Sequence, residues 1–474
     1  MKLAILGGGG FRVPLVYEAV ASNALAAEGR TAVRLDEVVL HDSSTERLEA
    51  MRRILDEDAR RFPDPPRVTY TVDLREALTG ADFVFSAIRV GGAEGRIADE
   101  RVALDLGLLG QETIGPGGLA YALRTIPVMR EVARTIAEVA PDAWTINFTN
   151  PAGIVTQAMR EFLGDRVVGI CDTPIGLVRR VSRVLGVSLE ADGVAYDYVG
   201  LNHLGWLRSV TVDGVDRLPE LLASDAMLDQ IEEARVVGED FVRALGVLPN
   251  EYLYYYWRTE EAIARIREAD ETRGEYLARR QDAFYGRVAE AASPLTAWRE
   301  ALHERESTYM AEARDEERRE EDVAGGGYQE VALRLMNALA TGRSERMILD
   351  VGNLTPSGRI VPELPDDLVL EVGCVVDGEG VHPLPIAPLT LAQLGMMARL
   401  RASEKAIADA AATRSRDKAW EGFAIHPLVD SPRLGRALLD GYVAAHPSIA
   451  QLLLEPGAST KSTATASKGP SPAQ

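Results

Sequence analysis

Along the first part of the chain, short unbroken apolar runs alternate with stretches whose apolar residues recur at helical spacing. Residues 2–7, Val38–Leu40, Val68–Val72 and Asp82–Ile88 are runs of strand length, bounded by glycine or polar residues. Helical patterns begin near Pro14, occupy Leu74–Leu78, and extend from about Leu119 to Val139. Trp144–Phe148 and Val167–Ile170 continue the strand series, and Val194–Val199 opens another β-rich stretch. Strands alternating with helices predict an α/β fold whose sheet is parallel and whose helices are the crossovers.

Beyond residue 203 the pattern changes. Residues 218–345 read as mostly helical and strongly charged, and within them Glu300–Glu321 reads as a solvated helix or an oligomer contact rather than a site. Strand patterning returns at Met347–Val351, Ile360 and Leu368–Val376, before helices from about Leu391 to Ala412 and from Pro432 to Leu454. The expected organisation is an N-terminal Rossmann-type domain over residues 1–190, a mixed α/β domain over 191–456, and a disordered tail over 457–474. That tail holds Ser, Thr, Ala, Lys and Pro with almost no apolar bulk.

Composition narrows the function classes. With 52 Lys+Arg against 72 Asp+Glu, the net charge of −20 makes nucleic acid an unsuitable partner. Two cysteines, Cys171 and Cys374, provide no disulfide framework and suit a reducing compartment. The apolar start at Met1–Ile5 ends at Gly7–Gly10, and no run approaches the roughly 20 apolar residues of a membrane span. The expectation is a soluble cytoplasmic protein with no membrane partner.

The candidate chemistry lies at the ends of the strand runs. Gly7-Gly8-Gly9-Gly10-Phe11-Arg12 falls between a strand and a helix, the context that cradles a dinucleotide pyrophosphate. Gly7 and Gly9 match the first two fingerprint positions, but Arg12 stands at the third. Asp42 closes the second strand, where an acid meets a ribose diol; it could equally cap the next helix. Arg89 opens the loop after the fourth strand, on the cofactor side. Gln111–Gly118 is a glycine-rich loop, either a tight connection or a place where backbone approaches a ligand. Asn150 could cap a helix or aim its amide at a ligand.

Cys171 and Asp172 follow one strand and His203 another, and Pro174 suits the first turn of the intervening helix. A thiolate and an imidazole could hold a divalent metal while leaving positions for substrate oxygens. A cysteine after Val-Val-Gly-Ile is equally a small buried hydrophobe, and a lone histidine often only satisfies a hydrogen bond. The aromatic cluster Tyr252–Trp257 fits core or a sugar-stacking wall.

From Lys2 to about Leu454 the chain resembles glycoside hydrolase family 4, the NAD- and metal-dependent glycosidases. The resemblance is carried by Gly110–Gly118, Asn147–Gly153, Cys171–Pro174, Gly200–His203 and Leu248–Tyr252, in that order. It implies oxidation of the sugar at C3 by NAD, removal of the C2 proton by a tyrosinate, and elimination of the aglycone. Water then adds and the cofactor is regenerated. Carried over by motif, Cys171 and His203 are metal ligands, for Mn²⁺ most often; Tyr252 is the base and Asn150 a substrate contact. Arg96 and Arg273 stand where members acting on 6-phosphosugars grip the phosphate.

Asp172, placed as a general acid, follows the pattern of the phospho-α-glucosidases, whereas Gly7–Pro14 and the general run resemble members described as 6-phospho-β-glucosidases. The resemblance therefore implies a 6-phospho-β-glucosidase acting on a phosphorylated disaccharide or glucoside, as a homodimer or homotetramer. A 6-phospho-α-glucosidase, or another hydrolase of anionic glycosides in the same family, is the first alternative. The same two-domain architecture, of the lactate/malate dehydrogenase-like kind, also serves NAD-dependent 2-hydroxy-acid dehydrogenases. A non-catalytic NAD-binding sensor of sugar phosphates is the third reading.

Overall fold

β1 (Lys2–Leu6) is buried along its last four residues, as a central strand covered on both faces requires. It is followed by β2 (Glu37–His41), β3 (Arg67–Thr71), β4 (Phe83–Ser86), β5 (Trp144–Asn147) and β6 (Val167–Gly169). These strands pair in parallel in the order 3-2-1-4-5-6, the doubly wound arrangement, with its switch point between β1 and β4. The computed structural model describes residues 1–26, 32–314, 318–319 and 327–453. The tail expected over 457–474 lies outside the described residues.

The second half adds β7 (Val194–Leu201), β8 (Leu204–Val212), β9 (Val215–Asp216), β10 (Leu248–Pro249) and β11 (Glu345–Gly352). After a separate two-stranded piece, β12 (Leu354–Thr355) with β13 (Gly358–Arg359), come β14 (Val369–Asp377) and β15 (Gly380–Pro383). β11 pairs antiparallel with β6 through Asp350 and Gly169, so the parallel half runs directly into an antiparallel half. Among the described residues a single sheet of 13 strands results. The α/β reading holds, with a Rossmann-type sheet first and a mixed half after it. Among the described residues no helix is long and apolar enough to cross a membrane.

Three local expectations change. The Gly115–Val139 helix begins four residues before Leu119, so Gly115–Gly118 form its first turn rather than a loop. A Cβ at Gly117 or Gly118 would lie 2.3 Å from Gln111 O or 2.4 Å from Thr113 O, so these glycines let the preceding segment fold back onto the helix. The helix expected over Pro432–Leu454 is two, Pro432–Ala445 and Pro447–Leu453, because Pro447 forces His446 out of the helical region. The helix Arg416–Ile425 had no apolar stripe to announce it.

The seam between the halves contains a buried carboxylate. Asp350 of β11 is fully buried, and neither of its oxygens has a hydrogen-bond partner. Burial pushes its carboxyl up to about 7, against the pull of Arg401. A carboxyl raised in the folded state stabilises it fully below its unfolded pKa of roughly 4, and that contribution is lost as pH rises through about 7. Urea midpoints at pH 5 and pH 8 should therefore show wild type losing stability relative to Asp350→Asn as pH rises. An unchanged difference would contradict the burial argument.

Candidate active site

A cavity of about 880 Å³ opens beyond the C-terminal ends of β1, β4 and β6. The glycine turn forms one wall. Gly7 has φ +86°, and a Cβ there would lie 2.6 Å from Ala87 O, so only glycine fits. The turn is tied to β2: Gly7 and Gly8 N–H donate to His41 O at 2.9 and 2.7 Å, and Gly9 N–H donates to Asp42 Oδ2 at 3.0 Å. Asp42 does not cap the next helix; Ser44 does. Gly7, Gly10, Phe11, Arg12 and Asp42 face the cavity, whereas a Cβ at Gly8 or Gly9 would press on Leu40 or on Arg47 and Asp42.

Side chains of the second half hold this turn from the other side. Tyr285 OH donates to Gly9 O at 2.7 Å, Trp298 Nε1 to Phe11 O at 2.8 Å, and Tyr328 OH to Arg12 O at 2.9 Å.

Cys171, Asp172, His203 and Tyr252 line the same cavity. His203 sits in the tight turn between β7 and β8 with φ +65°, a conformation that costs a non-glycine residue energy. Its ring stacks on Tyr252 with centroids 3.8 Å apart and planes 16° apart. Burial pushes its imidazole down to about 4, so at neutral pH a ring nitrogen keeps a free lone pair. Burial, helped by Glu371 and Asp172, pushes the Cys171 thiol well above its usual range. Among the described residues no third His, Cys, Asp or Glu completes a metal cluster. The donor pair nevertheless fits a divalent cation that takes its remaining ligands from substrate and water. Asn150 also faces the cavity, and its buried Oδ1 has no hydrogen-bond partner.

Tyr252 reverses a simple expectation. Burial, then Glu251 and Cys171, push its phenol well above 10, so without a bound cation it keeps its proton. The Tyr309 hydroxyl lies 2.7 Å from Tyr252 OH and 2.9 Å from Glu251 Oε1. Burial, then Glu232 and Glu233, push Glu251 up to about 7.

The stretch Glu300–Glu321, expected as a solvated helix or an oligomer contact rather than a site, does contribute to the site. Arg305, Glu306, Tyr309, Glu312 and Arg318 line the cavity, while Glu300 and His303 are exposed. Glu112, within the Gln111–Gly118 segment, also belongs to the site. It lies 2.7 Å from Arg89 and 2.9 Å from Arg96, and although burial opposes its charge, the two arginines hold it down at about 2. Arg96 also pairs with Glu100 at 2.7 Å. Arg273 donates to Thr308 Oγ1 and Arg305 O, at 2.8 and 3.0 Å.

Glycine turn, soft donor pair and arginines thus converge where doubly wound sheets bind their ligands, and the class is that of an α/β enzyme with its cleft at the strand ends. Comparison with known proteins gives the family. The description "Family 4 glycosyl hydrolase" matches residues 2–187, and its C-terminal domain matches 198–429. The chain belongs to family 4 of the glycosyl hydrolases.

An Escherichia coli (strain K12) 6-phospho-beta-glucosidase is 31% identical over 391 residues, covering 81% of this chain and 82% of that one. A 6-phospho-alpha-glucosidase from gut microorganisms, solved in complex with NAD and Mn²⁺, is 26% identical with a TM-score of 0.76, covering 94% and 98%. The 6-phospho-beta glucosidase of Thermotoga maritima, solved with NAD and glucose-6-phosphate, is 25% identical with a TM-score of 0.78, covering 95% and 99%.

Proposed function

We propose that this chain hydrolyses 6-phospho-β-glucosides with NAD and a divalent metal, Mn²⁺ foremost, as a cytoplasmic homo-oligomer. The observation that carries the reading is the neutral His203 imidazole stacked on Tyr252, in one arginine-lined cavity with Cys171. When bound, the dinucleotide supplies reversible oxidation at C3 and the metal supplies Lewis acidity, which together make the C2 proton removable.

The chain's own residues do the rest. Gly7, Gly8, Gly9, Gly10, Phe11, Arg12, Asp42 and Arg89 form the cofactor wall, with Gly8 and Gly9 shaping the turn from behind. Cys171 and His203 would hold the metal, and Asn150 fixes the sugar through its unpartnered Oδ1. Tyr252 takes the C2 proton, with Tyr309 holding its oxygen in place. Asp172 gives a proton to the departing glycosidic oxygen. Arg96 and Arg273 place positive charge at the phosphate end. Asp172 at the cavity favours one second reading, the α-anomer, because an acid there follows the phospho-α pattern.

Chromogenic 6-phosphoglucosides of both anomers, with non-phosphorylated controls, test the reading. The β-phosphoglucoside should be cleaved only with NAD and metal present, and with no net NADH. Stoichiometric NADH without cleavage would make the chain a dehydrogenase, and no turnover of any glucoside would leave it a sensor.

A further inference from the structure

The cavity holds more positive charge than its own carboxylates answer. Arg89 and Arg96 share Glu112, and Arg273 has two oxygen acceptors. Arg12 lies over the Tyr328 ring, within the fields of Asp172 and Glu306. Arg305 differs in its surroundings. Among the described residues its guanidinium, like those of Arg12 and Arg47, makes no hydrogen bond or ion pair, but it lies over the Phe11 ring, 5.3 Å from centroid to guanidinium carbon, and not over a tyrosine. Burial, then the fields of Arg12, Arg273, Arg89 and Arg96, push it down to about 9, even though Glu112 and Glu306 lie within electrostatic range. A guanidinium this poorly compensated gains most from an incoming dianion, and its planar fork matches the oxygens of a phosphate.

We propose that Arg305 is the residue that makes the cavity selective for a phosphorylated sugar, taking the phosphate monoester on a guanidinium that no protein acceptor occupies and that the neighbouring arginines surround. Arg96 and Arg273 contribute field and shape from positions where two of their guanidinium nitrogens each are already engaged. This rests on the phosphoglucosidase reading above, and it moves the decisive contact to a residue that the family motifs did not point to. The dinucleotide also carries phosphates, and Phe11 belongs to the glycine turn, so the test must separate the two sources. The main-chain link from Arg273 to Arg305 O favours the sugar phosphate, because it joins Arg305 to the arginine that flanks Arg96.

Arg305→Gln and Arg305→Lys, each loaded with NAD and Mn²⁺, carry the test. In Arg305→Gln the KM for the 6-phosphoglucoside should rise about 30-fold or more, with kcat held within about threefold. Lysine should recover part of that loss, which a merely misfolded site would not. Calorimetry of inorganic phosphate reads the same contact without turnover, and its affinity should fall in parallel while NAD affinity stays unchanged. Unchanged KM and phosphate affinity in both variants overturn the proposal. So does a loss confined to NAD affinity, which would assign Arg305 to the dinucleotide. If wild type cleaves no 6-phosphoglucoside, the phosphoglucosidase reading fails, and phosphate calorimetry still decides whether Arg305 is an anion contact.

Discussion

Replacing Cys171 by serine or His203 by alanine should abolish metal-dependent turnover and leave NAD affinity essentially intact. Each residue supplies one of the two donors assigned to the metal, and among the described residues no group of three or more His, Cys, Asp or Glu forms an alternative site. Outer-shell partners of a metal alone are worth about 10–100-fold in affinity or activity, so losing a direct ligand should cost more than about 100-fold. Serine keeps the size of cysteine but loses the polarisable sulfur. Burial holds the Cys171 thiol well above its ordinary range, so a bound cation must displace that proton, and Mn²⁺ affinity should increase with pH. Titrating Mn²⁺ into chelator-treated protein reads this directly, and a separate NAD titration reads the other wall. Wild-type Mn²⁺ affinity in either variant would place the metal elsewhere.

Tyr252→Phe should remove exchange of the substrate's C2 hydrogen with solvent and depress turnover by roughly 10²–10⁴, the range of a lost general base. A substrate deuterated at C2 is the probe: wild type should wash the label out, and the variant should retain it. Neighbouring tyrosines are the controls. Tyr254 OH donates to Glu312 O at 3.1 Å and Tyr255 OH to Glu312 Oε1 at 2.5 Å, so both hydroxyls are engaged away from His203. Tyr256 does not line the main cavity but a much smaller one that shares Asn202 and His203 with it. Their phenylalanine variants should keep the exchange. Retention of the C2 label by wild type, with full activity in NAD-free protein, would point instead to direct displacement by two carboxylates.

Much of this was legible because it is written locally. An apolar run, a glycine and a helical stripe are neighbours in sequence, so β1 to β6 and their turns can be read without knowing the fold. The pairing of β6 with β11 is long-range, and nothing between Gly169 and Asp350 announces it. Cys171 and His203 are legible as a donor pair at strand ends and Tyr252 through the family motif, and the three meet in one cavity.

Arg305 and Tyr309 were not legible. Polar residues lining an enclosed cavity produce the same pattern as residues facing bulk solvent, and the Pro294–Ser307 helix is charged on either account. Glu112 lay inside a recognised motif, but its role depends on Arg89 and Arg96 from another segment.

The three donors that grip the glycine turn have a consequence for how ligands communicate. Tyr285 belongs to the Arg273–Glu290 helix and Trp298 to the helix that carries Arg305. Tyr328 stacks at 4.2 Å on Phe148, two residues before Asn150. Each therefore joins the glycine turn to an element carrying a residue proposed for the sugar end, so occupancy at one end should bias the arrangement that the other end binds. Such coupling is reciprocal: whatever factor NAD applies to the affinity for a phosphosugar, the phosphosugar must apply to the affinity for NAD. Shortening Trp298 or Tyr285 should shrink that shared factor before it weakens either ligand alone.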